Sequence, residues 1–289
     1  MIGALAYGAR ILDEPRYAQA AREAASFLLE RLAASPAAGG TPSPAGTVPA
    51  QSQDARLLHR YRDGEAAIPA FLDDYAFLGW GLFDLYEATL EVRWLSEATR
   101  LTSEMARLFW DQGGGGFFFS GEQNERLIAK TKELYDGALP SGNSVAALNL
   151  VRLGQLTMDK MLQGYAEGLF QAFSGQISQA PSSSPQLLIA LDFWLGPSQE
   201  IVIAGVPASA DTRQMLRAVQ QRFLPRAILA LQPSDASSAE VEALIPFIKT
   251  QRPLQGKATA YVCTNYVCNL PTTDLDQLIA LLDSLKRMS

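Results

Sequence analysis

A long polar loop near the middle of the chain carries residue types that could do acid–base chemistry. It extends from Asp111 to Leu148, contains four consecutive glycines and separates two segments with helical patterns. Long ordered loops often carry function. Its reactive side chains are Lys132, Asp136, Ser141 and Asn143. Ordinary turn and cap roles remain the alternative, because Asp-Gly favours turns and Ser or Asn often precedes a helix.

Two further carboxylates, Asp73 and Asp74, lie near the start of a helix predicted over Phe71–Leu90. Consecutive helical residues point about 100° apart, so these two carboxylates cannot share a proton on one face. Carboxylates at this position also stabilise a helix by accepting its free N–H groups. We expect one of the two to cap the helix, and the other could reach a ligand.

Aromatic and basic residues could complete a binding surface. Tyr75 and Phe117 could stack on sugar rings, with core packing as the alternative for Tyr75. The run from Phe117 to Phe119 is predicted to form one short strand. Arg62, in a YRDG turn, could bind a carboxylate or simply lie at the surface. The one histidine, His59, lies in a predicted hairpin strand, and with only two cysteines in the chain no four-ligand zinc site is expected.

The elements that must position these residues are helices of two alternating kinds. Segments that are apolar on nearly every face alternate with segments that carry a single apolar stripe. The first kind is Met1–Leu12, Phe71–Leu90, Ser144–Leu156 and Pro185–Leu195; the second begins at Pro15 and continues with Arg93–Trp110 and Asp159–Phe173. This alternation predicts a mainly α fold, a partial ring of helical hairpins with seven helices. The inner helices would be buried on both sides, and the outer helices would face solvent on one side.

The connections between these helices favour a ligand site on one face. Connections from inner to outer helices are short, whereas those from outer to inner helices are long and rich in Gly, Pro and Ser. The long loops therefore share a face with the amino termini of the inner helices. Free N–H groups there favour anionic or hydroxyl-rich ligands, so we expect the ligand mouth on this face.

The residue pattern of the chain changes after Gly196. Three short β-rich runs alternate with helical runs, which predicts a small, mostly parallel α/β unit. The predicted division is therefore a helical region over 1–196 and an α/β segment over 197–289. The sequence GVPAS after the first strand lacks the spaced glycines and the Lys-Ser or Lys-Thr of a nucleotide loop, so no cofactor is expected.

Composition excludes several classes of partner. The net charge is −6 and the 24 Lys and Arg residues are scattered, so no nucleic-acid partner is expected. No apolar run reaches the ~18 to 20 residues that span a bilayer, and a signal peptide is not apparent, so a cytoplasmic location without membrane attachment is expected. Cys263 and Cys268 are expected to be reduced, mostly buried and without redox chemistry, with an occasional disulfide as the alternative because a bend at Asn265 would let the two sulfurs approach.

Several stretches resemble a known family. They are LDDYAFLGWGLFDLYEATLEVRWLSEA, GGGGFFFS, KELYDGALPSGNSVAALNLVRL and TAYVCTNYVCNLP. Together they are similar to the carboxyl-terminal region of the spermatogenesis-associated protein 20 and thioredoxin-domain-containing family. The resemblance implies an amino-terminal thioredoxin-like domain followed by a helical region similar to the six-hairpin glycosidases. This chain departs from that pattern, because it lacks the thioredoxin-like Cys-x-x-Cys and shows seven of the twelve helices of a closed ring.

The resemblance carries functional expectations. In six-hairpin glycosidases, acids at loop-to-helix junctions act as general acid and as base or stabiliser, and Asp74 and Asp136 are the pair that this chain offers. It implies a carbohydrate ligand on the inner-helix face. The alternative is a non-catalytic module that partners a thioredoxin-like domain or the missing amino-terminal half, since the chain is expected to be a fragment or to be completed by another polypeptide. Homodimerisation or poor solubility is also expected, because of apolar side chains on the first helix: Ile2, Leu5, Tyr7, Ile11 and Leu12.

Overall fold

The first part of the chain folds into seven α-helices joined as hairpins. The computed structural model describes residues 1–34, 56–121, 124, 128–235 and 237–285. The seven helices are α1 (Ile2–Leu12), α2 (Pro15–Leu32), α3 (Leu72–Thr89), α4 (Val92–Phe109), α5 (Gly142–Thr157), α6 (Lys160–Gln179) and α7 (Pro185–Leu195). All seven predicted helices are thus present, and the fold is mainly α with an α/β part.

The helices form an inner and an outer row. Helices α1, α3, α5 and α7 pack side by side in that order, and α2, α4 and α6 each pack on the inner helix that precedes them. Helices α3 and α5 bury residues on nearly every face, whereas α4 buries one stripe. The alternation of apolar and amphipathic segments is therefore confirmed as two layers of helices.

Each inner-to-outer connection uses the same tight geometry. Asp13, Leu90 and Met158 follow α1, α3 and α5, and each has a left-handed backbone with φ of 55°, 56° and 56° respectively. A left-handed residue at this position ends a helix, and the N–H groups of Asp13 and Leu90 bond back to carbonyls of the last turn. The predicted short turns are thereby confirmed, and the next helix starts two or three residues later in every case.

Helix α1 lies at the end of the inner row. Ile2 is buried, against the expectation that it would be exposed, because it packs on Gly81 of α3. Tyr7 and Leu12 are exposed as expected, and Leu5 and Ile11 are partly buried. The first helix therefore exposes a narrower apolar surface than its sequence indicates. Homodimerisation through it stays a prediction.

A small antiparallel sheet lies between α2 and α3. Its strands are β1 (Ala33–Ala34), β2 (Arg56–Arg62) and β3 (Glu65–Pro69), in the order β1-β2-β3. Asp63 and Gly64 join β2 to β3 with positive φ, as a two-residue hairpin turn requires. The hairpin predicted around YRDG is confirmed. The loop predicted before it lies mostly in 35–55, outside the described residues.

The central loop contains less regular structure than predicted. Phe117 makes a single antiparallel bridge with Trp110, and no strand forms over Phe117–Phe119. The next two residues bond in different directions: the N–H of Phe118 donates to the carbonyl of Phe109, and that of Phe119 donates to Thr131. A strand forms where a neighbouring segment stays paired over several residues, and here the pairing with Trp110 is a single bridge.

The carboxyl-terminal segment is a four-stranded sheet with helices. Its elements are β4 (Gln199–Gly205), α8 (Ala210–Gln220), β5 (Ala227–Pro233), α9 (Ser238–Leu244), β6 (Thr259–Thr264), β7 (Val267–Cys268) and α10 (Leu275–Leu285). The order is β5-β4-β6-β7; β5 is parallel to β4, but β6 is antiparallel to it. The prediction of a mostly parallel unit is wrong for β6, because the chain after α9 enters the sheet from its opposite end.

This sheet faces two hydrophobic cores. Val202 of β4 belongs to the core of the helical rows, together with Ile228 and Ala230 of β5. Its neighbours Ile201 and Ile203 point to the other face and pack with α8 and α10. Alternation along a strand sends successive side chains to opposite faces. The helical core therefore continues onto the sheet, and the division at residue 196 stays a prediction.

The two cysteines are paired rather than free. Cys263 on β6 and Cys268 on β7 are directly opposite in the antiparallel register and form a disulfide. The prediction of two reduced thiols is therefore wrong in this structure, because spacing alone does not show that a two-residue turn folds one cysteine onto the other. Separately, none of the helices in the described ranges is long and apolar enough to cross a bilayer.

Candidate functional site

Asp136 links the amino termini of two inner helices. Its Oδ1 accepts a hydrogen bond from the N–H of Ser141 at 2.8 Å, at the start of α5. Its Oδ2 accepts one from the N–H of Gln186 at 2.8 Å, in the first turn of α7. Both oxygens are thus occupied by backbone donors. This contact pattern favours a capping role, and catalysis by Asp136 stays a prediction.

Asp74 caps its own helix and contacts the only histidine of the chain. Its Oδ2 accepts the N–H of Phe71 at 2.8 Å, in the manner of a capping box. Nδ1 of His59, on β2, lies 2.8 Å from the same oxygen and 3.0 Å from Oδ1. Asp74 therefore turns toward the small sheet, whereas Asp136 turns toward α7. The structure gives these two predicted catalytic carboxylates separate sets of partners.

Asp73 lies next to the position that Asp136 caps. It accepts a hydrogen bond from the backbone of Gly142, the residue after the one bonded to Asp136. Burial, followed by the charges of Asp74 and Glu133, raises the pKa of the Asp73 carboxyl. The start of α5 thus gathers Asp73 and Asp136 on consecutive N–H groups. Sequence reasoning paired Asp136 with Asp74, which is one residue away from the carboxylate that the fold brings nearby.

Ser141 and Asn143 hold the loop in place. Oγ of Ser141 accepts the N–H of Ser144 at 3.2 Å as the N-cap of α5. Asn143 is fully buried; its amide donates to the carbonyls of Phe117 and Glu133 and its oxygen accepts the N–H of Phe117 at 2.8 Å. All hydrogen-bonding atoms of the Asn143 amide are thus used within the protein. The predicted cap role applies to Ser141, whereas Asn143 joins the start of α5 to the backbone of the central loop.

The remaining predicted residues are divided between core and surface. Tyr75 and Phe117 are fully buried, and Oη of Tyr75 accepts the N–H of Leu57. Lys132 pairs with Asp111 and donates to the carbonyl of Gly115, which closes the glycine turn. Arg62 is exposed and contacts its neighbour Asp63. Tyr75 lines a small cavity of about 210 Å³ beside β2 and the end of α4, and the substrate contacts of all four residues stay a prediction.

A cavity of about 640 Å³ lies elsewhere, beside the carboxyl-terminal halves of α1, α3 and α5. Its far wall is α7 together with the connection from α8 to β5. The volume falls within the range of small-molecule sites. The residues that give it chemical character are Tyr7, Arg10, Trp80, Asp84, Glu87, Arg152, Gln186 and Phe223. The sequence predicted the ligand mouth at the amino termini of the inner helices, the ends opposite to this cavity.

Four charged side chains form a connected cluster in the cavity wall. Arg152 on α5 donates to Oδ1 of Asp84 at 3.1 Å and to Oε2 of Glu87 at 2.9 Å, both on α3. Arg10 on α1 donates to the same oxygen of Glu87 at 2.6 Å. Three inner helices therefore meet through two guanidinium groups and two carboxylates. Because charges of both signs are equal in number, the cluster is close to neutral.

Asp84 has an environment suited to proton transfer. Its side chain is mostly buried, and burial raises the pKa of its carboxyl to about 6 in spite of the opposing effect of Arg152. The backbone of Gly3 lies close to Oδ2, where a Cβ would come within 2.8 Å of that oxygen. A carboxyl group with a pKa near 6 can hold a proton at neutral pH often enough to act as an acid.

Two donors in this cavity wall lack a protein acceptor. Nε of Arg10 and Nε2 of Gln186 are buried and unpaired among the described residues. Buried polar groups normally have partners, and protein atoms cover both nitrogen atoms, so each can bond to a ligand acceptor once its side chain turns into the cavity. Gln186 also connects the helix starts capped by Asp136 with the cavity, because its backbone N–H bonds to Asp136 and the residue lines the cavity.

Sequence reasoning missed these residues because they lie in helices that are apolar on nearly every face. Asp84 and Glu87 are three residues apart in α3, and Arg152 is the one charged residue of α5. A charged side chain inside an otherwise buried helix was the available signal, since such residues need partners. Their positions along separate helices did not show that these side chains meet.

The fold and the cavity define a class of protein: a helical-hairpin array with a polar site on its inner helices, followed by a small α/β segment. Over 213 residues, 73% of this chain, the sequence is 40% identical to spermatogenesis-associated protein 20 of Homo sapiens, 39% to that of Rattus norvegicus and 38% to that of Mus musculus. No protein-family model matches the chain. The chain belongs to the spermatogenesis-associated protein 20 family, and its matched part spans 27% of the length of these relatives.

Proposed function

We propose that this chain binds a neutral, hydroxyl-rich ligand of the carbohydrate class in the cavity of the inner helices. The observation that carries the proposal is the combination, in one wall, of a charge-balanced cluster and two unpaired donors. A neutral cluster gives no net attraction to an ion. Hydroxyl groups both donate and accept, so they can bond to Asp84 and, once the two side chains turn into the cavity, to the unpaired N–H groups of Arg10 and Gln186.

Aromatic side chains of the same cavity support a ring-shaped ligand. Tyr7 and Phe223 are exposed at the lining, and Trp80 lies on the α3 side. Aromatic faces pack against the C–H faces of sugar rings while the hydroxyl groups bond at the edges. A cavity that offers both kinds of contact is suited to one or two sugar units.

We propose further that the two helical rows are an arc of a six-hairpin-glycosidase-like ring. The supporting observations are the side-by-side order of the inner helices and the identical turns that follow three of them. The rest of the ring would come from the longer polypeptide, because the matched part covers 27% of the relatives. If the site is catalytic, Asp84 is our candidate for the proton donor. Asp74 and Asp136 remain the sequence-based alternative, and their contacts favour capping.

The test is ligand binding to the folded chain, measured by saturation-transfer NMR and calorimetry with a panel of neutral mono- and disaccharides. The key variant is Gln186→Met, which keeps the side-chain length and removes the unpaired donor. We expect about a tenfold loss of affinity, or about 1.4 kcal/mol, with stability unchanged or slightly higher. Gln171→Met, on the exposed face of α6, is the matched control. Absence of saccharide binding, or equal binding by Gln186→Met, would refute the proposal.

A second candidate function is a non-catalytic module that receives a thioredoxin-like domain. The observation that favours it is a group of exposed apolar side chains around the cavity, Tyr7, Ile189 and Phe223, with Leu195 at the end of α7. Exposed apolar groups in one region mark interaction surfaces. Chemical-shift changes on adding an isolated thioredoxin-like domain, abolished by Phe223→Ser and absent with saccharides, would favour this function over the first.

A further inference from the structure

The disulfide joins a buried cysteine to an exposed cysteine across the β6–β7 hairpin. Cys263 is buried in β6, whereas Cys268 on β7 is exposed. A thiolate that attacks a disulfide must reach one sulfur along the axis of the bond. An incoming thiolate therefore approaches from the Cys268 side. The pair is thus accessible to exchange at one end and protected at the other.

Other bonds keep the hairpin folded when the disulfide is reduced, but reduction removes the covalent link between β6 and the short strand β7. Asn265 and Tyr266 form its two-residue turn with φ of 49° and 61°. The N–H of Asn269 donates to the carbonyl of Val262 at 3.0 Å, and that of Asn265 donates to Ser198 at 2.9 Å. A disulfide that closes so short a loop restricts the unfolded chain far less than one that closes a long loop. Its contribution to global stability is therefore small.

The tip of the hairpin holds the carboxyl end of α5. Oη of Tyr266 donates to the carbonyl of Gln155 at 2.7 Å, and the N–H of Tyr266 donates to Oε2 of Glu200 at 2.8 Å. Gln155 lies in the last turn of α5, where carbonyl groups lack partners within the helix. The side chain of Gln155 also donates to Glu200, at 2.9 Å. One residue of the hairpin thus caps a helix that carries Arg152 into the cavity.

From these contacts we propose that Cys263–Cys268 is a thiol–disulfide exchange site for dithiol reductants, and that its redox state sets how firmly the hairpin holds α5. A dithiol attacks Sγ of Cys268 as a thiolate, forms a mixed disulfide and releases Cys263 as a thiolate, which takes a proton from solvent. The second thiol of the reductant then displaces Cys268. Two electrons pass from the dithiol to the protein, and the reductant leaves as a disulfide. This proposal does not depend on the ligand of the cavity.

The exchange is tested on the native protein with dithiothreitol, followed by alkylation and mass spectrometry. We expect reduction within minutes without denaturant, at a rate proportional to the dithiothreitol concentration. In the single variants, the Cys268 thiol left by Cys263→Ser should react with an aromatic disulfide reagent at least tenfold faster than the Cys263 thiol left by Cys268→Ser. Reduction at a rate that is independent of dithiothreitol, as for a bond reached only by global unfolding, would overturn the proposal. Cysteines that alkylate before any reductant is added would also overturn it.

The hold on α5 is tested by amide hydrogen exchange. We expect reduction to speed exchange several-fold in the last turn of α5 and to leave the other inner helices unchanged. Tyr266→Phe removes only the hydroxyl that donates to Gln155, so its oxidised form should already exchange faster there, and reduction should add little. Identical exchange of oxidised and reduced wild-type protein in this turn would contradict the coupling.

Discussion

The carboxylate of Asp136 accepts the backbone N–H of Gln186 at 2.8 Å, across 50 residues of sequence. The same carboxylate accepts the N–H of Ser141, so one side chain supplies the amino termini of α5 and α7. The residue before α7, Ser184, makes no side-chain cap bond of its own. The helix therefore depends on a cap from a distant loop, and that loop is fixed by the same interaction.

The first prediction concerns this shared cap. Asp136→Ala should lower the free energy of unfolding by about 2 to 3 kcal/mol, because two N–H groups lose a charged acceptor. Urea denaturation measures the change. Asp159→Ala is the matched control, since Asp159 caps α6 alone and should cost about 1 kcal/mol. Wild-type stability combined with lost ligand binding would instead support the catalytic role predicted from the sequence.

The second prediction concerns the charge cluster. Arg152→Met should destabilise the protein by about 3 to 5 kcal/mol, because Asp84 loses its guanidinium partner and Glu87 retains only Arg10. Arg62→Met is the control: Arg62 and Asp63 form an exposed pair, and its loss should cost less than about 1 kcal/mol. Equal costs for the two variants would show that the cluster is no more than a surface pair.

The third prediction is a pH dependence caused by Asp84. The folded pKa of Asp84, about 6, lies above its ordinary value of 3.8, so the folded state binds more protons than the unfolded state between these two values. Stability from this group is therefore greatest below about pH 4, falls as pH rises toward 6 and is constant above. The full difference is on the order of 3 kcal/mol.

The measurement compares wild-type protein with Asp84→Asn in urea between pH 4 and pH 7.5. Distant carboxylates contribute equally to both proteins, so the difference reports Asp84 together with Glu87, which shares its Arg152 partner. We expect wild-type stability to fall relative to the variant as pH rises through this range, and a constant difference would show that the pKa of Asp84 is not raised. The ¹³C shift of the Asp84 carboxyl provides a direct reading of its titration.

The fourth prediction concerns the close approach of α3 and α5. A Cβ on Gly142 would lie 2.9 Å from Cδ2 of Leu72 and would overlap the carboxylate of Asp73. Gly142→Ala should therefore cost about 2 to 4 kcal/mol through overpacking at the first turns of both helices. Gly175→Ala, in α6 with open space around it, should stabilise the protein by about 0.5 to 1 kcal/mol. Thermal unfolding distinguishes the two directions.

Local sequence patterns account for the helices and their layers. The apolar faces of α3 and α5 and the single stripe of α4 reflect how each segment is buried, so periodicity located them to within about two residues. The Asp-Gly hairpin and the Pro15 helix start follow from backbone preferences that act within a few residues. Membership of the family also rests on sequence, since it came from motifs that lie within single segments.

Only the tertiary structure decided which groups face one another. Asp73, rather than Asp74, approaches the helix start that Asp136 caps, because one residue of helix turns a side chain by about 100°. The direction of β6 and the pairing of Cys263 with Cys268 depend on how the chain returns to the sheet. The contacts of Arg152 with Asp84 and Glu87 join residues more than 60 positions apart, and packing of α5 on α3 creates them. Sequence periodicity reports which face of a helix is buried, and the neighbour that buries it is determined by long-range packing.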